Sequence, residues 1–137
     1  MMPTVSFGTA LLTVAGLLAD VSTASAEMSV SMSGDARHGK QLYAQCVGCH
    51  SPERHRTGPK HCGLIGRQAG AAAGFDYSKS MRESKLIWSV RTLDSFLFSP
   101  LGYIPGTNMG IAGIKDDHDR SDLIAYLIAM NQWSECR

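Results

Sequence analysis

The stretch Cys46-Val47-Gly48-Cys49-His50 constrains this chain more than any other. Two thiols three residues apart, followed at once by an imidazole, form the attachment pattern of a c-type haem. Each thiol adds across one vinyl group to give a thioether, and the short spacing holds both at one porphyrin edge. His50 then falls beneath the ring and offers Nε2 to iron as the proximal ligand. Taken alone, the same spacing also serves a redox dithiol or half of a zinc site.

Residues 1–26 read as a secretory leader. Val5 to Leu18 is apolar, and Ala24-Ser25-Ala26 forms an A-x-A cleavage site before Glu27, although Met1 to Phe7 carries no Lys or Arg. The apolar run is shorter than the ~20 residues that span a bilayer, which argues against a retained membrane anchor. Export suits thioether formation, which needs reduced thiols first and an oxidising compartment afterwards. Residues 27–34 read as a flexible lead-in and 35–137 as one small domain with a limited core of its own. The formal charge of +1 grows by one when Asp20 leaves with the leader. So weak a balance implies neither nucleic acid nor an anionic membrane as partner.

Asp35 or Gly34 caps an expected helix through Ala36, Gly39, Leu42 and Tyr43 to the cysteines. Ser51 to Gly74 turns to Gly, Pro and charge and reads as loop. Short helices are expected around Tyr77 to Ser84 and over Thr92 to Phe98, the second ended by Ser99-Pro100. Ile104 to Met109 reads as an extended, turn-rich loop, and Asp119 to Gln132 as the clearest helix. No strand-like alternation of any length is present. The expectation is a small all-α domain whose long loops pack against a bound group.

Several separate motifs follow one another in order: Gly34-Asp35, Gly39-Lys40 and Tyr43 before the cysteine pair, then Thr57-Gly58-Pro59 and Gly63-Leu64-Ile65-Gly66-Arg67. Gly74-Phe75-Asp76-Tyr77-Ser78, Trp88, Thr92-Leu93 and Pro100 come next. Tyr103-Ile104-Pro105-Gly106-Thr107 with Met109, and Asp122-Leu123-Ile124-Ala125-Tyr126-Leu127, complete the series. Together these resemble class I cytochrome c, in particular the mitochondrial type and its soluble bacterial counterparts. The resemblance implies a helical domain wrapped around one covalent haem c.

It also implies roles. Met109 is the distal iron ligand opposite His50; a soft thioether favours ferrous iron and raises the potential. Met28, Met32, Met81 and Met130 compete on paper, but Met130 lies on an apolar helix face. Pro59 offers its carbonyl to Nδ1–H of His50. Arg67, Tyr77 and Trp88 meet the haem propionates, and Thr107 hydrogen-bonds on the Met109 side. Gly39 and Tyr43 pack against Tyr126 where the first and last helices cross.

The chain departs from the family in places. Phe96 stands where a tyrosine is usual, Met81 where an asparagine is, and Ile111 where an aromatic is. Gln41, Leu101, Gly102 and Asn108 replace rim lysines, leaving Lys40, Lys60 and Lys115 among few cations there. Steering onto acidic partners is therefore expected to be weak, with an apolar patch including Leu101 and Ile111 docking instead. Cys62 and Cys136 remain after the haem has used two thiols, and in an exported protein they read as a disulfide. His38, His55, His61 and His118 read as surface or rim residues, with His61 the rival sixth ligand.

The expected function is a soluble, monomeric, periplasmic electron carrier. It passes one electron between transient protein partners, a reductase or dehydrogenase as donor and an oxidase or reductase as acceptor. A peroxidase needs an open sixth position, which Met109 fills. A zinc module using Cys46, Cys49, His50, His61 or Cys62 leaves the Met109 loop and Trp88 without purpose. A dithiol oxidoreductase lacks its βαβ surroundings.

Overall fold

The structure is a computed structural model, and it describes residues 34–136; the expected leader and nearly all of the lead-in lie outside the described residues. Five helices are ordered along it: α1 (Ala36–Leu42), α2 (Lys79–Glu83), α3 (Val90–Phe98), α4 (Pro100–Tyr103) and α5 (Asp117–Asn131). The domain is all-α, as the motif series implies. Among the described residues the extended pairing is limited to one isolated antiparallel bridge, Gln68 with Ile87.

Four of the five helices, all but α4, begin on a side chain that accepts from the orphan N–H groups of the first turn. Asp35 caps α1 by accepting from Arg37 N at 2.8 Å, and Ser78 caps α2 through Met81 N at 3.2 Å. Ser89 and Thr92 form a reciprocal capping box at the start of α3. Asp116 caps α5 through Asp119 N at 3.0 Å, so α5 starts two residues before the expected Asp119. Pro100 does end α3, but it also sits at the first position of α4, a short helix that the sequence pattern does not predict.

The core is built where α1, α3 and α5 meet. Leu93, Phe96 and Leu97 bury the expected face of α3, and Leu123, Ile124, Leu127 and Met130 that of α5. Arg120, only 5 % exposed, reaches from α5 to the Asp94 carboxylate on α3 at 2.7 Å and to the carbonyls of Ile114 and Lys115 at 3.0 Å each. A buried guanidinium is tolerable because these acceptors replace its water. Ile114 N donates to Leu97 O at 2.8 Å, which fastens the chain leaving the Met109 loop onto α3. Among the described residues no helix is long and apolar enough to cross a membrane.

Candidate functional site

α1 runs into a 3-10 turn, Tyr43–Gln45, that delivers the chain to Cys46. The cysteine pair is then wound tightly: Cys49 N and His50 N both donate to Cys46 O, at 3.1 and 2.9 Å. This coil leaves Cys46 half-buried and Cys49 exposed, and it turns His50 inward until it is 8 % exposed. Burial, with Cys49 nearby, pushes the Cys46 thiol up to about 11.

The His50 ring is held by its neighbours on the next loop. Its Nδ1 lies 2.7 Å from Pro59 O, and a carbonyl can only accept, so Nδ1 carries the proton and Nε2 keeps its lone pair. Gly58 crowds the same ring, since a Cβ at this position would sit 2.4 Å from His50 Cε1. Burial lowers the imidazole's pKa, with the bond to Pro59 acting against it. Burial is the larger effect, so the net lowering favours a neutral ring at pH 7, the state that ligates a metal.

The structure corrects the reading of His61 as a rim residue or rival sixth ligand. Its ring stacks on His50 with centroids 4.2 Å apart and planes at 23°, and its Nδ1 is 2.9 Å from the Tyr43 hydroxyl. A ring laid against the His50 imidazole is on the His50 side of the site. Burial first, then the neighbouring His50 and Arg67, pull its pKa down to about 3. The sequence signal goes no further than proximity: once Pro59 O reaches His50, a residue two positions on cannot be far from that ring, but nothing in the sequence turns its face onto it.

Arg67 spreads its fork over the same loop, with Nη1 donating to Cys62 O at 2.9 Å and Nη2 to Lys60 O at 3.1 Å. Its Nε is buried with no hydrogen-bond partner among the described residues. A buried donor of this kind suits an anionic acceptor supplied from outside the polypeptide, and a haem propionate has that chemistry. Trp88 is buried and tied to the Arg67 segment by backbone bonds, Trp88 N to Arg67 O at 3.0 Å and Gly66 N to Trp88 O at 2.8 Å. Its ring packs on Phe96 at 5.0 Å, which fills the family's usual tyrosine position with an apolar face. Tyr77 is half-buried against Phe75, and burial raises its phenol while the Arg67 charge opposes the shift.

Thr107 is buried, and its hydroxyl accepts from Met109 N at 3.3 Å. Met109 is half-buried against the edge of the core, whereas Met81 and Met130 are inside it. Cys62 and Cys136, 74 positions apart, have Cα atoms 4.8 Å apart and sulfurs at bonding distance. A zinc module needs convergent ligands, and among the described residues no group of three or more His, Cys, Asp or Glu side chains could hold an ion.

Residues 36–131 match the model of the family described as Cytochrome c. The chain is 43 % identical over 98 residues to "Cytochrome c" of Chlamydomonas reinhardtii, covering 69 % of this chain and 88 % of that protein. It is 43 % identical over 97 residues to "Cytochrome c 2.1" of Caenorhabditis briggsae, covering 69 % and 87 %. Among solved structures, cytochrome cH from Methylobacterium extorquens is similar with a TM-score of 0.69 and 37 % identity, over 70 % of this chain and 99 % of that one.

Proposed function

The chain belongs to the class I cytochrome c family, and from that premise we propose that it is an exported one-electron carrier whose iron is held between His50 and Met109. As a family member it binds one covalent haem c and is an electron carrier, not an enzyme. When bound, that group supplies a ferric/ferrous couple. The polypeptide holds, shields and tunes it.

Cys46 and Cys49 provide the two thioethers. His50 gives Nε2 to iron; the observation that carries this is the 2.7 Å bond from Nδ1 to Pro59 O, which commits the other nitrogen. Met109 gives the second ligand from a loop built of Pro105, Gly106 and Gly110, with its amide held by Thr107. Arg67, Tyr77 and Trp88 receive the propionates, supported by the unpartnered Nε of Arg67. Residues 1–26 act as a cleaved leader to the periplasm, followed by the lead-in 27–34 and the haem domain 35–137. Cys62 and Cys136 form a disulfide in that compartment, supported by their 4.8 Å Cα separation.

Partners meet the carrier transiently as a monomer. Val47 beside the cysteines is 45 % exposed, and Leu101 and Ile111 are 51 % and 45 % exposed. With few cations among the rim positions, contact relies on apolar area more than on charge, so association depends little on salt.

Redox-titrated visible and near-infrared spectroscopy of the exported protein tests the ligation. A sulfur-to-iron charge-transfer band in the ferric state, lost in Met109→Ala, is the expected result; its absence from the unmutated protein overturns His/Met ligation.

A further inference from the structure

We propose that His61 is a positioning residue: anchored by Tyr43, it stacks on His50 and fixes the plane in which that ligand presents Nε2 to iron. This rests on the reading of His50 as an iron ligand.

An imidazole bound to iron through one nitrogen can turn about that bond. The hydrogen bond to Pro59 O restrains the turn, but carbonyls accept over a broad range of directions. A second ring stacked at 4.2 Å and 23° restrains the plane itself. His61 is built to do this. Its Nδ1 is 2.9 Å from the Tyr43 hydroxyl, and Tyr43, 4 % exposed, is backed by Tyr126 of α5 at 5.2 Å.

The backbone on both sides of His61 is equally fixed. His61 N donates to Ser51 O at 3.1 Å and Cys62 N to Pro52 O at 2.7 Å. The Arg67 fork grips the carbonyls of the residues immediately before and after it, Lys60 and Cys62. An aliphatic side chain at this position would fill the space without holding a plane. A directed hydrogen bond at one end of the ring and a stacked ligand at its face are what distinguish positioning from filling.

Three variants of the haem-loaded full chain separate these roles. His61→Leu removes the ring, His61→Phe keeps a ring without the Tyr43 bond, and Tyr43→Phe removes the bond while keeping both rings. The readouts are the ferric electron paramagnetic resonance g-values, the hyperfine-shifted haem-methyl pattern and the reduction potential. His61→Leu is expected to change the g-values and the methyl pattern. It should also raise the potential, because a polarisable ring near the ferric ion is lost. The expected size is about threefold in the ferric-to-ferrous ratio, or ~28 mV at 59 mV per tenfold for one electron. His61→Phe should restore most of the pattern, and Tyr43→Phe should lie between.

Unchanged g-values and methyl shifts in His61→Leu overturn the proposal, as does a His61→Phe protein that behaves like His61→Leu. If His61→Leu fails to mature with haem, Tyr43→Phe decides alone: a moved methyl pattern supports the proposal and an unmoved one overturns it. An unmutated protein without a low-spin His/Met spectrum removes the ligation reading and this inference together. A normal unmutated spectrum with unresponsive variants removes only the role of His61.

Discussion

The backbone oxygen of Asp122 on α5 occupies the space beside Gly39 on α1, where a Cβ would come within 2.0 Å of it. The same Cβ would meet Tyr126 Cβ at 2.9 Å, so the two helices cross backbone to backbone. Gly39→Ala therefore sets two effects against each other. Alanine is worth ~1 kcal/mol more than glycine inside a helix. Forcing a methyl into a closed backbone contact costs about 1–3 kcal/mol, and here neither neighbour is a flexible side-chain end. The clash wins, and the urea midpoint of Gly39→Ala is expected below that of the unmutated protein. An equal or higher midpoint would show that the helices part at no cost.

That crossing was legible through the motif series, whose resemblance implied that Gly39 and Tyr43 pack against Tyr126. The start of α1 was legible from its cap Asp35, whereas α3 and α5 each begin two residues before the expected Thr92 and Asp119, on the caps Ser89 and Asp116. Asp119 offers the same capping chemistry as Asp116 three residues later, so the sequence does not distinguish the two starts. Pro100 was read only as a stop, since the same rigid φ that ends one helix also begins the next. The His50–Pro59 relation was implied by the motif series. The His61–His50 stack was not, because it depends on how a loop with no period folds back, and loop contacts leave no repeat in the sequence.

Gly58 meets the His50 ring where its Cβ would lie 2.4 Å from Cε1 and 2.7 Å from each nitrogen. Gly58→Ala must move the ring or the loop that carries Pro59 O. We expect a loss of about 1–3 kcal/mol in unfolding free energy and a changed ferric spectrum from a displaced ligand. The two readouts are chemical denaturation and visible spectroscopy on the same sample. A stable variant with an unaltered spectrum contradicts the close contact.

His38 Nδ1 lies 2.8 Å from Asp122 Oδ2, and Asp35 N donates to the other oxygen, Asp122 Oδ1, at 2.6 Å. The hydrogen bond to Asp122 raises the His38 pKa above its usual 6.5, and the same bond, together with Asp35 N, lowers that of Asp122 below 3.8. A raised histidine pKa stabilises the fold fully below the unfolded value and loses that contribution as pH rises through the folded one. A lowered carboxylate pKa contributes above the unfolded value and is lost in acid. The pair is therefore strongest between the two ordinary values. His38→Gln should melt below the unmutated protein near pH ~5 and approach it in mildly alkaline solution, where the imidazole is neutral in both states. A gap that widens with pH would reverse the assignment.

Cys62 opens the loop gripped by Arg67, and Cys136 lies in the 3-10 turn Ser134–Cys136 that follows α5. Joining them closes most of the domain into one ring, because 74 positions separate the two. Loop-closure entropy for a ring of that size corresponds to about 4 kcal/mol, and measured bridges commonly give 2–4 kcal/mol. Reductant should therefore lower the urea midpoint of the unmutated protein and leave that of a Cys62→Ala, Cys136→Ala double variant unchanged. The double variant should match the reduced protein to within the small cost of two truncated thiols. A midpoint indifferent to reductant in both proteins would mean that the thiols are unpaired in solution. In that case the Arg67 fork and the backbone bonds to Ser51 O and Pro52 O would hold the 60–62 segment against His50.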